Sequence, residues 1–242
     1  MFLPIKDYNP TTRTTYITII IIVINVFVFF YQAVGSNLEK SIVKYALIPW
    51  EITHLKNIDK PIAYEIDEKS FFPVKRPVYR EINPILSILT SMFMHGSFFH
   101  LFGNMLFLWI FGNNIEDFLG PGKFILFYLI SGIGASLVHI LFNINSIIPV
   151  IGASGAVSGV MGAYYILYPK ARVKTLVFIF IFITFVDIPA SLFLGIWFIF
   201  QFFYVGSGGI AWLAHVGGFI IGIILINYYK KKIDKTIIEF IE

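Results

Sequence analysis

The sequence predicts an all-α polytopic membrane protein, a bundle of six transmembrane helices with a short cytoplasm-side β-like hairpin. Three observations carry this. The 242-residue chain is 57% hydrophobic and 13% charged, with 27 Phe and a mean hydropathy of +0.81, too apolar for a soluble protein. Apolar runs near membrane-spanning length recur along it. The charged residues collect between those runs, and in the short loops and tails the basic ones fall on one side.

Taken in order, residues 1–14 are polar and broken by Pro4 and Pro10, and form a cytoplasmic N-terminus. Residues 15–34 are an apolar run of about 20 residues, enough to span a bilayer as a helix. The run is long for a signal-peptide core and no small-residue cleavage site follows it cleanly, so it reads as a retained helix. Residues 35–91 carry eight Lys or Arg and seven Asp or Glu, a long exterior loop rather than a simple connection. Within it, 45–50 and 85–94 are apolar enough to lie on the membrane surface or to plug between helices. Further spans are expected at 92–111, 124–142, 153–168, 190–205 and 212–229. The 153–168 and 190–205 runs reach only about 24 Å at about 1.5 Å per residue, against a hydrocarbon core of ~30 Å. A helix that starts at Ser154 therefore puts its hydroxyl below the membrane surface.

Charge orients the bundle. Lys170, Arg172 and Lys174 follow the fourth span, Lys230, Lys231, Lys232 and Lys235 follow the sixth, and Lys6 and Arg13 precede the first. Those sides are cytoplasmic, including the tail 230–242, and the opposite loops 143–151 and 206–211 contain no charge. Residues 173–189 are hydrophobic, yet their centre alternates β-branched residues with phenylalanine, which suits strand. A crossing there would also put the starts of the fourth and sixth helices on opposite faces. The segment is read as a cytoplasm-side hairpin, and 1–242 as a single membrane domain.

Composition also excludes chemistry. Without cysteine there is no disulfide, thiol nucleophile or thiolate metal site. The net charge of +4 is spread over loops and tails, with no basic patch interleaved with aromatics, so no nucleic-acid partner is expected.

The chemistry-bearing stretch is Ile151-Gly152-Ala153-Ser154-Gly155, which places a hydroxyl inside apolar chain. Taken alone it reads first as a small-residue packing seam with Ser154 as an N-cap; partners elsewhere decide otherwise. His100 and Asn104 lie four apart on one face at the start of the second span, with His95 a turn before them. Polar groups at membrane depth face a cavity or one another. His139 in the third span fits a satisfied interhelical hydrogen bond. On the sixth span Ala214, Gly218 and Gly222 form a close-packing stripe, matched by Gly155 and Gly159 on the fourth. Ser154 precedes one stripe by one residue and His215 follows the first member of the other. If the stripes meet, hydroxyl and imidazole approach each other, which is what a serine nucleophile needs. The nearest acids, Glu116, Asp117 and Asp187, fall toward the cytoplasmic side, so a Ser-His dyad is expected. His100, Asn104 and the Ser154 N–H are the candidate oxyanion donors.

At this point the chain resembles the rhomboid intramembrane serine proteases. The motifs Gly152-Ala153-Ser154-Gly155, His95…His100…Asn104 and Ala214-His215-Val216-Gly217-Gly218 match the family's signature regions in order and span, and 111–120 resembles its turn after the second span. The resemblance implies a six-helix rhomboid-like bundle with Ser154 as nucleophile, His215 as general base, His100 and Asn104 on the oxyanion, and His95 nearby. It implies transmembrane protein substrates, cut near the exterior face where small residues and a readily unwound helix occur, in contact with membrane lipid and with no metal or cofactor. It also implies a lateral substrate gate formed by Trp197, Phe198 and the loop 206–211.

Two departures stand out. Leu86-Ser87 occupy the place of a Trp-Arg pair that anchors the exterior loop in some members, and Ser158 that of a tyrosine stacked on the catalytic histidine. His215 is then expected to be oriented by packing alone. Three rival classes fit the residues less well. A metalloprotease needs an acid between closely spaced histidines, absent between His95 and His100. A transporter would show paired inverted halves or an intramembrane carboxylate. A catalytically silent rhomboid-like binder would lack a motif residue, and all are present. The expected location is a prokaryotic plasma membrane.

Overall fold

Among the described residues, three helices are long and apolar enough to cross a membrane: Tyr16–Val34, Pro121–Leu141 and Trp212–Lys232. The computed structural model describes residues 2–35, 38–59, 63–67, 74–80, 82–179, 182–205 and 210–241. In chain order these are β1 (Phe2–Asp7), α1 (Tyr16–Phe30, prolonged by a π-helical turn, Tyr31–Gly35), α2 (Leu38–Tyr45), α3 (Pro49–His54), the paired strands β2 (Ala63–Asp67) and β3 (Val74–Val78), and α4 (Pro84–Ser91). Then come α5 (Phe98–Leu119), α6 (Pro121–Leu141), α7 (Ser154–Leu167), β4 (Arg172–Ile179), β5 (Phe182–Pro189), α8 (Ala190–Gln201) and α9 (Trp212–Ile241).

Helix α7 is the axis. Every residue from 155 to 164 is buried, which a short, small-residue helix achieves only when neighbours surround it. Its small residues let α9 approach to backbone contact. A Cβ on Gly218 would run into the Gly155 carbonyl oxygen, and one on Gly222 into that of Gly159. Helix α6 closes a third side through Ser131 and Ala135, which a Cβ on Gly159 and Gly155 respectively would strike. The two stripes read from the sequence do meet.

Helix α5, read from the sequence as the second span, differs from its expected bounds. It begins at Phe98, not 92, because Ser97 caps it in extended conformation (φ −162°) and accepts the His100 N–H at 3.2 Å. It runs on to Leu119, so the expected turn at 111–120 is helix up to Gly120. There φ is +76°, which glycine takes without strain, and Pro121 starts α6 at once. The polar residues near the end of this helix have tertiary partners. The buried Glu116 carboxylate accepts the N–H groups of Ile17 and Thr18 at 2.9 and 2.7 Å and the Thr18 hydroxyl at 2.7 Å, capping α1 from another helix. Asn114 donates to Asp7 at 2.8 Å, and Tyr164 donates to the same carboxylate at 2.7 Å. Burial raises the Asp7 carboxyl above its ordinary value, against the opposing pull of those donors.

Asp7 belongs to a strand where the sequence suggested broken coil. The sheet order is β1-β4-β5, with Asp7 opposite Val173, and the register shifts between Pro4 and Lys6, where an edge strand tolerates proline. Arg172 of β4 lies opposite Pro189 of β5, so the chain returns to the end of α7 it left before entering α8. At the far end of the bundle, Arg80 ties α2 to α3. Its guanidinium pairs with Glu51 at 2.8 Å and donates to the carbonyls of Val43 and Ala46 at 2.6 Å each.

Candidate active site

Ser154 is the first residue of α7, preceded by Ala153 as cap, so its N–H is among the donors a helix start leaves without an intrahelical acceptor. Because α7 and α9 touch along their glycines, the two helix starts lie side by side. Ser154 Oγ is 2.8 Å from His215 Nε2. This is hydrogen-bonding distance between a hydroxyl and the base that would take its proton.

The other nitrogen of His215 also has a partner, one that the sequence reading missed. Its Nδ1 is 2.7 Å from Oε1 of Gln201, the buried last residue of α8. The ring is therefore not oriented by packing alone. Ser158, which stands at the stacking-tyrosine position, turns its hydroxyl back onto the Ser154 carbonyl at 2.6 Å and plays no part in holding the ring. Trp197 does lie against it, with centroids 6.0 Å apart. A lone glutamine in an otherwise apolar helix was the available signal, since such residues are costly at membrane depth without a partner.

His100 reaches the same place from α5. Its Nδ1 faces the Gly96 N–H at 3.5 Å, which leaves Nε2 as the donor end of the ring. That end points at Gly152: a Cβ there would sit 2.8 Å from His100 Nε2 and 3.6 Å from Ser154 Oγ. Gly152 has φ +123°, held by its N–H on the Ser91 carbonyl at 2.9 Å, so glycine is required both by backbone and by space. Asn104 is one turn along; its Nδ2 is turned onto the His100 carbonyl at 3.1 Å while the side chain lines the cavity. His95 is fully buried, edge-on to His100 with centroids 5.0 Å apart. His139 differs from expectation: its buried Nδ1 has no hydrogen-bond partner among the described residues.

Ser154, His215, His100 and Asn104 border a cavity of about 670 Å³, walled further by Gly103, Val157, Met161 and Ile210. A second, more apolar cavity of about 730 Å³ lies between α5 and α8, lined by Phe107, Phe193, Ile196 and Phe200. Trp197, Tyr204 and His215 border both. Phe198 borders neither; its ring packs on Phe219 of α9 at 4.8 Å. Of the expected gate loop, residues 206–209 lie outside the described residues.

Comparison with known proteins agrees with this arrangement. The chain is 32% identical over 162 residues to Rhomboid protein 1, mitochondrial, of Saccharomyces cerevisiae, covering 62% of this chain and 43% of the yeast protein. It is 41% identical over 76 residues to Rhomboid protease GluP of Bacillus subtilis, covering 31% of this chain and 14% of that one. To the Presenilin-associated rhomboid-like protein, mitochondrial, of Mus musculus it is 34% identical over 87 residues, covering 35% and 23%. The match thus spans less than half the length of each of these relatives. Two of the three are mitochondrial by name, which does not fit the prokaryotic plasma membrane expected from the sequence; residence in a membrane stands on the apolar helices. A sequence model of the Rhomboid domain matches residues 83–232, which include Ser154, His215, Gln201, His100 and Asn104, and the chain belongs to the rhomboid family.

Proposed function

We propose that this chain is an intramembrane serine endopeptidase that cuts single-span membrane proteins near the exterior face, through Ser154 as nucleophile and His215 as general base. The observation that carries the reading is the 2.8 Å contact between Ser154 Oγ and His215 Nε2 at the edge of a cavity inside the bundle. The bundle crosses the membrane six times, by α1, α5, α6, α7, α8 and α9, with β4 and β5 on the cytoplasmic side. Helix α7 is 14 residues long, about 21 Å against ~30 Å of hydrocarbon, so its start lies below the surface.

The chemistry follows from the placement. Ser154 Oγ attacks the scissile carbonyl carbon as its proton passes to His215 Nε2. The carbonyl oxygen, now negative, lies within reach of the Ser154 N–H and of His100 Nε2–H, with Asn104 close enough to contribute by rotating off the His100 carbonyl. Collapse of that intermediate breaks the peptide C–N bond, and His215 returns the proton to the leaving amine. Water then attacks the acyl-serine with His215 again as base, releasing the acid and restoring the hydroxyl. Trp197, on the wall shared by both cavities, is the gate residue we retain; Phe198 belongs to the packing of α8 on α9.

The test is cleavage of a single-span substrate in proteoliposomes by purified parent and Ser154→Ala protein. Removing one oxygen from a small-residue helix leaves the packing unchanged, so the variant should insert and melt as the parent does, with cleavage lost. A variant that still cuts at a comparable rate, with contaminating proteases excluded, would sink the assignment.

A further inference from the structure

The hydrogen bonds of Gln201 are directional, and their direction can be read. Its Nε2 lies 2.8 Å from the Trp197 carbonyl oxygen, which can only accept. The amide is thereby fixed with Nε2 toward Trp197, and the oxygen is the end that faces His215. A carbonyl oxygen at 2.7 Å requires a proton on His215 Nδ1, which leaves the Nε2 lone pair toward Ser154. The opposite tautomer would put two acceptors against each other at Nδ1 and no base at the serine. Gln201 is itself buried, where an unpaired amide would be costly, so the bond is held from both ends.

We infer that Gln201 is a positioning residue for the reaction, setting the tautomer and angle of His215 by one hydrogen bond while the Trp197 carbonyl sets its own. It takes the place in the relay that an acid holds in a serine triad, but as a neutral acceptor. That difference has a consequence. A carboxylate would favour the imidazolium; an amide orients the ring without adding charge beside it. Among the described residues, the titratable groups around the ring are His100 on α5, His139 on α6 and Tyr204 beyond α8, and no carboxylate lines either of the two cavities that His215 borders. The ring is thus aimed without a negative charge being placed beside it. The inference rests on the Ser154–His215 reading of the site.

Two substitutions in the full chain test it, with cleavage of the single-span substrate followed from pH 5 to 9. Gln201→Leu removes the acceptor and should lower kcat by about 10- to 100-fold, the loss met when a metal-bound histidine loses the neighbour that orients it, with KM within about twofold of the parent. Gln201→Glu keeps an acceptor, should recover much of that kcat, and should move the acidic limb of the rate profile to higher pH, because its carboxylate favours the protonated ring. A Gln201→Leu protein with parental kcat and an unmoved pH limb overturns the inference. If Gln201→Leu fails to fold, Gln201→Glu decides alone, and a pH limb at the parental position overturns it. Ser154→Ala in the same assay keeps the readings apart: a dead serine variant beside a fully active Gln201→Leu removes only the role of Gln201, whereas an active serine variant removes the reading of the site.

Discussion

At the scale of single residues, Gly152 shows how much a site can depend on an absent side chain. Its φ of +123° is one that L side chains rarely adopt, and the space a Cβ would need is taken by the His100 ring at 2.8 Å. Gly152→Ala therefore either pushes His100 off its line to Ser154 or turns the loop that presents the serine. We expect kcat to fall by about 10²- to 10³-fold, the cost of one oxyanion donor, while thermal stability drops by about 1–3 kcal/mol of backbone strain. Single-turnover kinetics beside a melting curve separate the two, and parental turnover would show that His100 does not serve the oxyanion. Ser154, His215 and His100 were legible because each sits at a fixed offset from small residues within a few turns of helix. Gln201 was not, because its partner lies 14 residues on, beyond a loop, and nothing local to an amide tells which neighbour it will meet.

At the scale of elements, spacing was a good guide wherever the partner was a helix face. The stripes on α7 and α9 are each readable at a four-residue period, and close packing follows from having nothing on either side to keep the backbones apart. The turn that the family resemblance implied at 111–120 is instead the end of α5. Asn114 and Glu116 look like loop residues in one dimension, but they are spent on distant groups, Asp7 and the α1 N-terminus, so the helix runs through them. Helix α9 supplies the prediction at this scale. In Gly222→Ala the added methyl meets Gly159 backbone, not the end of a flexible side chain, so the helices must separate. We expect a loss of about 3 kcal/mol, at the upper end for overpacking, and a matching fall in melting temperature in detergent. Since His215 rides on α9, turnover should fall with it. Gly122→Ala, where a Cβ meets nothing within 4 Å, is the control that should leave both unchanged. Equal melting curves for the two variants would mean that the α7–α9 contact is looser than the glycines imply.

At the scale of the molecule, what decides function is parity. The starts of α7 and α9 must face the same side for Ser154 to meet His215, so the chain from one start to the other must cross the membrane an even number of times. That requirement was readable from the two motifs and the basic residues, whereas the strand at the N-terminus was not, since β1 finds its partner β4 about 170 positions later. With Arg172 opposite Pro189, the segment between α7 and α8 leaves and rejoins the bundle at one end. The charge-free segment between α6 and α7, with Ile147 exposed, belongs at the other. In a chain with no native cysteine, single cysteines at Lys170, at Asp187 and at Ile147 test this directly. An impermeant thiol reagent applied to sealed vesicles of one orientation should label Lys170→Cys and Asp187→Cys from the same face and Ile147→Cys from the other. Lys170 and Asp187 on opposite faces would mean that β4 or β5 crosses the bilayer. The serine and the histidine would then start from different sides, and the site could not assemble.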